Sequence, residues 1–162
     1  MIKWSERAEE VSSLLNPAFL THLIYSGVSS VESARLNGAD FIMPFLAIPL
    51  VLHPNTSGAI PDNANLSFQK WTLDKLALND VLGDFSDYAS ALTPYIKESL
   101  IFGMQNNMLY VDDSGKLCTI HSKKLLSPQH NKKYHKKMRT CGIWFSNEKT
   151  ISFAMNYLRV KP

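Results

Sequence analysis

The sequence predicts a mainly helical (α+β) fold with one small β-hairpin, and the spacing of apolar residues in three parts of the chain carries this prediction. From Ser5 to Leu36 apolar residues recur every three or four positions, as they do along one side of a helix. The spacing becomes two on both sides of the turn at 112–115, which indicates a hairpin over approximately residues 108–120. Helical spacing then returns in a basic region over approximately residues 129–158. This order of helices, hairpin and helix is also that of a winged-helix unit.

The composition is that of one folded domain over residues 1–162. Apolar residues make up 45% of the chain and charged residues 19%, which lies in the range of folded proteins. A chain of this length buries roughly two thirds of its unfolded surface on folding, so we expect a substantial core. The net charge of +3 says little by itself, because the charges are unevenly distributed along the chain.

Helices are predicted on both sides of Asn16 and in the first apolar run. Asparagine is a good N-cap and proline fits the first helical turn, so one helix should end near Leu15 and another begin at Pro17. The segment from Pro44 to Leu52 is apolar on all sides. We interpret it as a short buried helix, which Pro49 would kink.

The middle of the chain alternates turn-forming and helical composition. Residues 53–65 are rich in Pro, Gly, Asn and Ser and are predicted to form a loop, followed by a helix over 66–78. Asp84 and Ser86 are candidate caps of the next helix. At Thr93 and Pro94 we expect that helix to end and restart, before it continues to about Asn106.

The basic region is the strongest electrostatic feature of the sequence. Between Ser114 and Asn147 the chain has eight Lys or Arg and no acidic residue. Tyr134, Met138, Cys141 and Phe145 form its apolar stripe, and the opposite face carries Lys133, Lys136, Lys137 and Thr140. The candidate contacts to DNA or to an acidic partner are Lys123, Lys124, Lys132, Lys133, Lys136, Lys137 and Arg139. A solvated helix face would explain the same pattern, whereas DNA contact would make binding steeply dependent on salt.

The sequence does not nominate a metal, cofactor or catalytic site. Cys118, His121, His130, His135 and Cys141 are residue types that bind zinc, but structural zinc sites have two compact ligand pairs. Packed thiols in the hairpin and in the apolar stripe explain the cysteines better. Neither a glycine-flanked nucleophile nor a glycine-rich phosphate loop is present, so we expect no enzymatic activity and no cofactor.

A protein interface and a cellular location are also predicted. Exposed aromatic and C-terminal residues are the candidate partner contacts, namely Trp144, Tyr157 and Arg159. The N-terminus is polar and acidic, unlike a signal peptide. The longest apolar run, over 41–52, has twelve residues against the ~20 that a membrane-spanning helix needs, so we expect a cytoplasmic protein with no membrane contact.

Four segments, distributed over nearly the whole chain, match one known family in their order and spacing. They are Leu15 to Phe19, Met43 to His53, Pro94 to Gly103 and Tyr157 to Pro162. In these segments the chain resembles the middle components of three-component ABC-ATPase systems, which are bacterial gene clusters regarded as conflict or anti-phage modules.

The resemblance implies a non-enzymatic adaptor placed between a condensin-like (SMC) or repair-like ABC ATPase and a third, variable component. It implies a single middle-component domain over 1–162 and no catalytic residues. DNA is a further candidate partner through the basic region. The chain departs from the family over 131–140, where a helix richer in arginine and alanine is expected, and at Arg159, where the family pattern has glycine between leucine and valine.

A stand-alone winged-helix transcription regulator is the alternative prediction. In that case the hairpin would be the wing and a preceding helix would enter the major groove of DNA. Such regulators normally dimerise, so a symmetric dimer that binds a short operator specifically would favour this function.

Overall fold

The computed structural model confirms a mainly helical fold with a small two-stranded antiparallel sheet. It describes residues 15–35, 37–76, 83–120 and 131–161. The elements are α1 (Pro17–Arg35), α2 (Met43–Leu52), α3 (Pro54–Ser57), α4 (Phe68–Trp71), a π-helical turn (Thr72–Leu76), α5 (Phe85–Gln105), β1 (Leu109–Val111), β2 (Leu117–Thr119), α6 (Lys132–Trp144) and α7 (Glu148–Leu158). The prediction of a helix that ends near Leu15 concerns residues before 15, which are outside the described residues.

Helix α1 begins where Asn16 and Pro17 predict. The Asn16 side-chain Oδ1 accepts a hydrogen bond from the Ala18 amide at 2.8 Å, and its backbone carbonyl accepts one from the Leu20 amide at 2.9 Å. The side-chain bond satisfies one of the amides that the start of a helix leaves without an intrahelical partner, and the carbonyl bond is the first backbone bond of the helix.

Helix α2 is the centre of the core. Every residue from Met43 to Val51 is buried, including Pro44 and Pro49. The helix contacts α1, α5, α6 and α7. Because neighbours cover it on several sides, its sequence is apolar all round, as expected of a fully buried helix.

Helix α5 corrects one prediction about the middle of the chain. It runs unbroken from Phe85 to Gln105 with Pro94 inside it, so the expected restart at Thr93 and Pro94 is wrong. Proline removes one amide donor and leaves the carbonyl four residues earlier, on Ser90, without that partner. Both Pro94 and Ser90 are exposed, so water can satisfy this carbonyl.

Three shorter predictions also change in the structure. Asp84 occupies the N-cap position of α5 but its side chain makes no capping hydrogen bond, while Ser86 donates instead to the Arg159 carbonyl at 2.9 Å. Of the predicted helix over 66–78, the described residues form a single α-turn, α4, that continues as the π-helical turn to Leu76, and 77–78 lie outside the described residues. The predicted loop over 53–65 contains α3, which begins after His53.

The hairpin forms as the turn composition predicts. Leu109 pairs with Thr119 and Val111 with Leu117. In the turn, Asp112 Oδ1 accepts hydrogen bonds from the amides of Ser114 at 2.9 Å and Lys116 at 2.8 Å. A bridge between Ala39 and Leu117 extends the pairing by one residue on the other side of β2.

Helix α6 lies against α1 at a point where two glycines meet. A Cβ atom at Gly142 would lie 2.3 Å from the Gly27 carbonyl oxygen and 2.3 Å from Ser30 Oγ. No side chain fits such a distance. Glycine at position 142 is therefore required for the close approach of the two helices. This approach sets the position of the basic residues of α6 relative to α1.

Candidate interaction surface on the basic helix

The predicted apolar stripe of α6 faces the core. Met138, Cys141 and Phe145 are buried, and the Tyr134 ring meets Phe19 of α1 edge-on at 6.3 Å between centroids. His135 is also buried, with Nδ1 2.7 Å from Ser26 Oγ of α1. These contacts fix which side of α6 can face a partner.

Three of the predicted cations form a line along the exposed side of α6. Lys132, Lys136 and Arg139 are exposed and are spaced four and three residues apart, so they follow each other on one helix face over about 10 Å. Ile143, half-buried, continues this line toward the end of the helix. We call Lys132, Lys136 and Arg139 the cationic stripe.

The neighbouring flank of α6 holds the segment 57–66 by side-chain donors. Lys137 Nζ donates to the Ser57 carbonyl, Thr140 Oγ1 donates to the Pro61 carbonyl at 3.0 Å, and Trp144 Nε1 donates to the Leu66 carbonyl at 2.6 Å. The three donors succeed one another along the helix in the same order as the carbonyls along the segment. This flank therefore attaches the segment to the helix.

The attachment corrects the prediction that Thr140 shares the exposed face with the lysines. Thr140 is 2% exposed because the segment 57–66 lies over it. Burial lowers the pKa of Lys137, and the nearby charge of Lys133 lowers it further. Lys137 thus differs from the cationic stripe, since part of its side chain is used inside the protein.

One residue of the cationic stripe, Lys136, lies next to an acidic side chain. Lys136 Nζ lies 3.4 Å from Asp62 Oδ2, and both side chains are largely exposed. Exposed ion pairs contribute about 0–1 kcal/mol, so this contact can be exchanged for another at little cost. Lys133 lies beside the stripe with Nζ 4.9 Å from the centre of the Tyr134 ring, a cation–π geometry.

The three candidate protein contacts near the C-terminus lie in different environments. Trp144 is 4% exposed and packs against Phe68 and Trp71, so the expectation that it is an exposed partner contact is not met. Its indole can be buried without an unsatisfied donor because its N–H donates to the Leu66 carbonyl. Tyr157 is half-buried, and Arg159 is exposed at the C-cap of α7 with φ +56°.

Other predicted positions divide between the described and undescribed parts of the chain. Lys123, Lys124, His121 and His130 lie outside the described residues. Cys118 belongs to β2 and Cys141 to the apolar stripe, as predicted, and burial raises the pKa of both thiols. Within the described ranges no group of three or more His, Cys, Asp or Glu side chains could hold a metal ion.

A groove beside the cationic stripe was not predicted from the sequence. It has a volume of about 490 Å³ and lies between α1 and α6. Its lining residues, which define what we call the α1–α6 groove, are Ser29, Ser30, Ser33, Ala34, Arg139 and Ile143. The sequence signal for this groove is the spacing of the α1 serines by three and four residues, which places them on one helix face. The sequence does not show that α6 lies next to this face.

A second cleft lies on the hairpin side of α1. It has a volume of about 470 Å³ and is acidic, with Glu32 and Asp112 in its lining together with Tyr110 and Cys118. Glu32 Oε1 accepts a hydrogen bond from the Thr119 amide at 2.9 Å. One carboxylate of this cleft therefore satisfies a backbone donor of β2.

Together the fold and these surfaces define a mainly helical protein with a line of exposed cations next to an open groove, a surface suited to binding another molecule. The chain belongs to the family of ABC-three component (ABC-3C) system Middle Component 3, whose model matches residues 4–162. This confirms the family predicted from the four sequence segments. The protein is therefore a component of a system with several subunits.

Further comparisons add no relative to this family assignment. Neither the curated proteins nor the solved structures give a match to the chain. In the part of the chain that the structure describes, no helix is both long and apolar enough to cross a membrane.

Proposed function

We propose that this protein is a non-enzymatic adaptor subunit that links an SMC-like or repair-like ABC ATPase to a third component of a bacterial anti-phage defence system. The observation that carries the proposal is the family match over residues 4–162, nearly the whole chain. A middle component of a three-component system has the other two components as its natural partners. The α6 surface supplies one place where such a partner can bind.

The contacts of the reactive side chains support a role without catalysis. Asp112 accepts hydrogen bonds from two turn amides, and His135 is bonded to Ser26 in the α1–α6 interface. The raised pKa of Cys118 keeps this thiol protonated, whereas a nucleophilic cysteine needs a lowered pKa. Each of these groups thus has a structural explanation.

The cytoplasm is the proposed location of the adaptor. An ABC ATPase uses ATP, which the cytoplasm supplies. Cys118 and Cys141 are both free and buried, in keeping with a compartment that maintains reduced thiols.

The cationic stripe is the proposed contact to DNA or to an acidic partner subunit. Both ligands would be attracted by Lys132, Lys136 and Arg139. The helix before the hairpin gives less support to a winged-helix regulator, because the exposed charged residues of α5 are Asp87 and Lys97, one of each sign. A recognition helix that follows DNA would be expected to carry an excess of cations.

Affinity capture of the tagged protein from its native host tests the adaptor function. The lysate is divided, one half is treated with nuclease, and co-purified proteins are identified by mass spectrometry. We expect an ABC ATPase and a third component in both halves. Recovery of the protein with DNA and without another protein, the DNA being lost on nuclease treatment, would instead favour the transcription regulator.

Reconstitution and infection test the two finer parts of the proposal. With purified subunits, the ATPase and the third component should associate in the presence of the adaptor and not without it. Deletion of the gene should raise the plaque count of an infecting phage to that of cells that lack the whole system. Direct association of the other two components without this protein would disprove the adaptor role.

A set of charge reversals tests whether the exposed lysines of α6 act by their position or only by adding to the net charge. Lys132, Lys133 and Lys136 are changed to Glu together, and the matched control changes three exposed lysines on other helices, namely Lys70, Lys97 and Lys149. The first variant should lose assembly or DNA binding and the control should keep both. Equal behaviour of the two variants would contradict a role for the basic surface.

A further inference from the structure

The α1–α6 groove presents acceptor oxygens from its serines. Ser30 Oγ donates its proton within the protein, to the carbonyls of Gly27 at 2.7 Å and Arg139 at 3.1 Å. Ser33 Oγ donates to the Ser29 carbonyl at 2.8 Å. A hydroxyl has one proton and two lone pairs, so the oxygens of Ser30 and Ser33 remain able to accept hydrogen bonds from a ligand.

The cationic stripe adds charged donors, one of them in the groove and two farther along the same face of α6. Arg139 lines the groove, and Lys136 and Lys132 follow it on the same face of α6. A guanidinium and two ammonium groups can only donate hydrogen bonds and attract negative charge. A ligand that satisfies the whole surface must therefore combine anionic acceptors, for the stripe, with neutral donors, for the serines.

This combination distinguishes a protein ligand from DNA. The sugar–phosphate backbone of DNA offers anionic acceptors but no N–H or O–H donors, so it would satisfy the stripe and leave the serine oxygens without partners. A polypeptide supplies a backbone N–H at nearly every residue and carboxylates from Asp or Glu.

The shape of the groove agrees with a peptide segment that also has apolar side chains. Ala34 is exposed and Ile143 is half-buried, and both line the groove beside Arg139. A volume of about 490 Å³ holds several side chains. An apolar side chain next to an acidic one on the ligand would match this lining.

We propose that the α1–α6 groove and the cationic stripe bind an acidic segment of another subunit of the ABC system. The carboxylates of the segment lie at Arg139, Lys136 and Lys132, and its backbone N–H groups donate to Ser30 and Ser33. The proposal rests on the adaptor function proposed above and names the chemistry of the partner that this surface recognises.

Site-directed photo-crosslinking in the native host tests the proposal. The photoreactive residue p-benzoylphenylalanine replaces Ser33 in the groove or, as a control, Ser152, which is exposed on α7. After irradiation the crosslinked peptide is sequenced by mass spectrometry. We expect position 33 to crosslink an Asp- and Glu-rich segment of the ATPase or the third component, and position 152 to give no crosslink to that segment.

Charge reversal then tests whether the captured segment is held by the cations. Arg139→Glu should weaken the binding of that subunit at least about tenfold, because it places like charges opposite each other. Lys97→Glu on α5 makes the same change in net charge and should leave affinity unchanged. Lysine substitutions in the crosslinked acidic segment should restore binding to Arg139→Glu.

The outcomes separate this proposal from the adaptor function. If wild-type protein captures no other component of the system, the adaptor function fails. If the system assembles normally and Arg139→Glu binds as wild type, only the groove proposal is overturned. A crosslink from position 33 to DNA, or to a segment without acidic residues, overturns it as well.

Discussion

Substitution of Gly142 by alanine tests the packing that places the basic helix. The added Cβ would lie 2.3 Å from the Gly27 carbonyl oxygen, a backbone atom that cannot rotate away, and 2.3 Å from Ser30 Oγ. Helices α1 and α6 must therefore move apart. Overpacking of this kind costs about 1–3 kcal/mol, or more where backbone must shift, while the helical preference of alanine over glycine returns about 1 kcal/mol.

Because the clash is with a backbone atom, the cost of overpacking lies at the upper end of that range, about 3 kcal/mol. The net expectation for Gly142→Ala is therefore a loss of about 2 kcal/mol in the free energy of unfolding. Urea titration followed by far-ultraviolet circular dichroism measures it, with the slope of the transition as a check on two-state behaviour. Gly58→Ala is the matched control. A Cβ at Gly58 would meet nothing within 4 Å, and its φ of −64° suits alanine.

The control should therefore move in the opposite direction. Alanine at position 58 restricts the unfolded chain and should stabilise the protein by about 0.4–1 kcal/mol. A third variant, Gly27→Ala, would meet the flexible ends of Met138 and Met43 at 3.2 Å and the Met138 carbonyl oxygen at 3.3 Å. These contacts are looser than those at Gly142, so this variant should cost less than Gly142→Ala. If Gly142→Ala is as stable as wild type, the close approach of α1 and α6 is not what positions the basic surface.

Three further predictions concern single side chains. Arg159 has φ +56°, where a non-glycine residue costs about 1–2 kcal/mol, so Arg159→Gly should stabilise the protein by about 0.5–1 kcal/mol in a urea titration, whereas Arg159→Ala should not. Thr140→Val removes the donor to the Pro61 carbonyl and should cost about 1 kcal/mol. Burial lowers the pKa of His22 and His135 below 6.5, so the folded protein binds fewer protons than the unfolded chain. Their contribution to stability is complete above pH 6.5 and should fall as the pH drops below it, by at most about 1.4 kcal/mol per pH unit for each imidazole.

Each of these predictions has a contradicting result. Equal stability of Arg159→Gly and Arg159→Ala would show that the backbone at this C-cap is not strained. A Thr140→Val variant as stable as wild type would show that the segment 57–66 does not depend on that bond. His135→Gln should reduce the dependence of stability on pH below 6.5, and an unchanged slope would exclude this imidazole as the titrating group.

Sequence patterns predicted the elements whose signals are local. The turn at 112–115 specifies the hairpin through Asp112, which bonds two amides within four residues of itself. Asn16 and Pro17 likewise mark the start of α1. Periodicity recognised the buried face of α6 at Met138 and Cys141, because the apolar stripe itself contains the information.

The features that the sequence did not predict depend on residues distant along the chain. Thr140 is polar and stands opposite the apolar stripe, so only the carbonyl of Pro61 explains its burial. Pro94 is tolerated inside α5 because that face of the helix is exposed, which helical spacing alone does not reveal. The groove at Arg139 requires α1 and α6 to meet, and that meeting depends on Gly27 and Gly142.

The hydrogen bonds between α6 and the segment 57–66 make the two partners unequal in their tolerance to substitution. Lys137, Thr140 and Trp144 all donate to main-chain carbonyls, and every residue type provides such a carbonyl. The identities of the side chains at the accepting positions are therefore free to vary without loss of these bonds, whereas the donors on α6 are not. Exposed Asn65 within this segment is accordingly a suitable position for a fluorophore or an affinity label that leaves α6 in place.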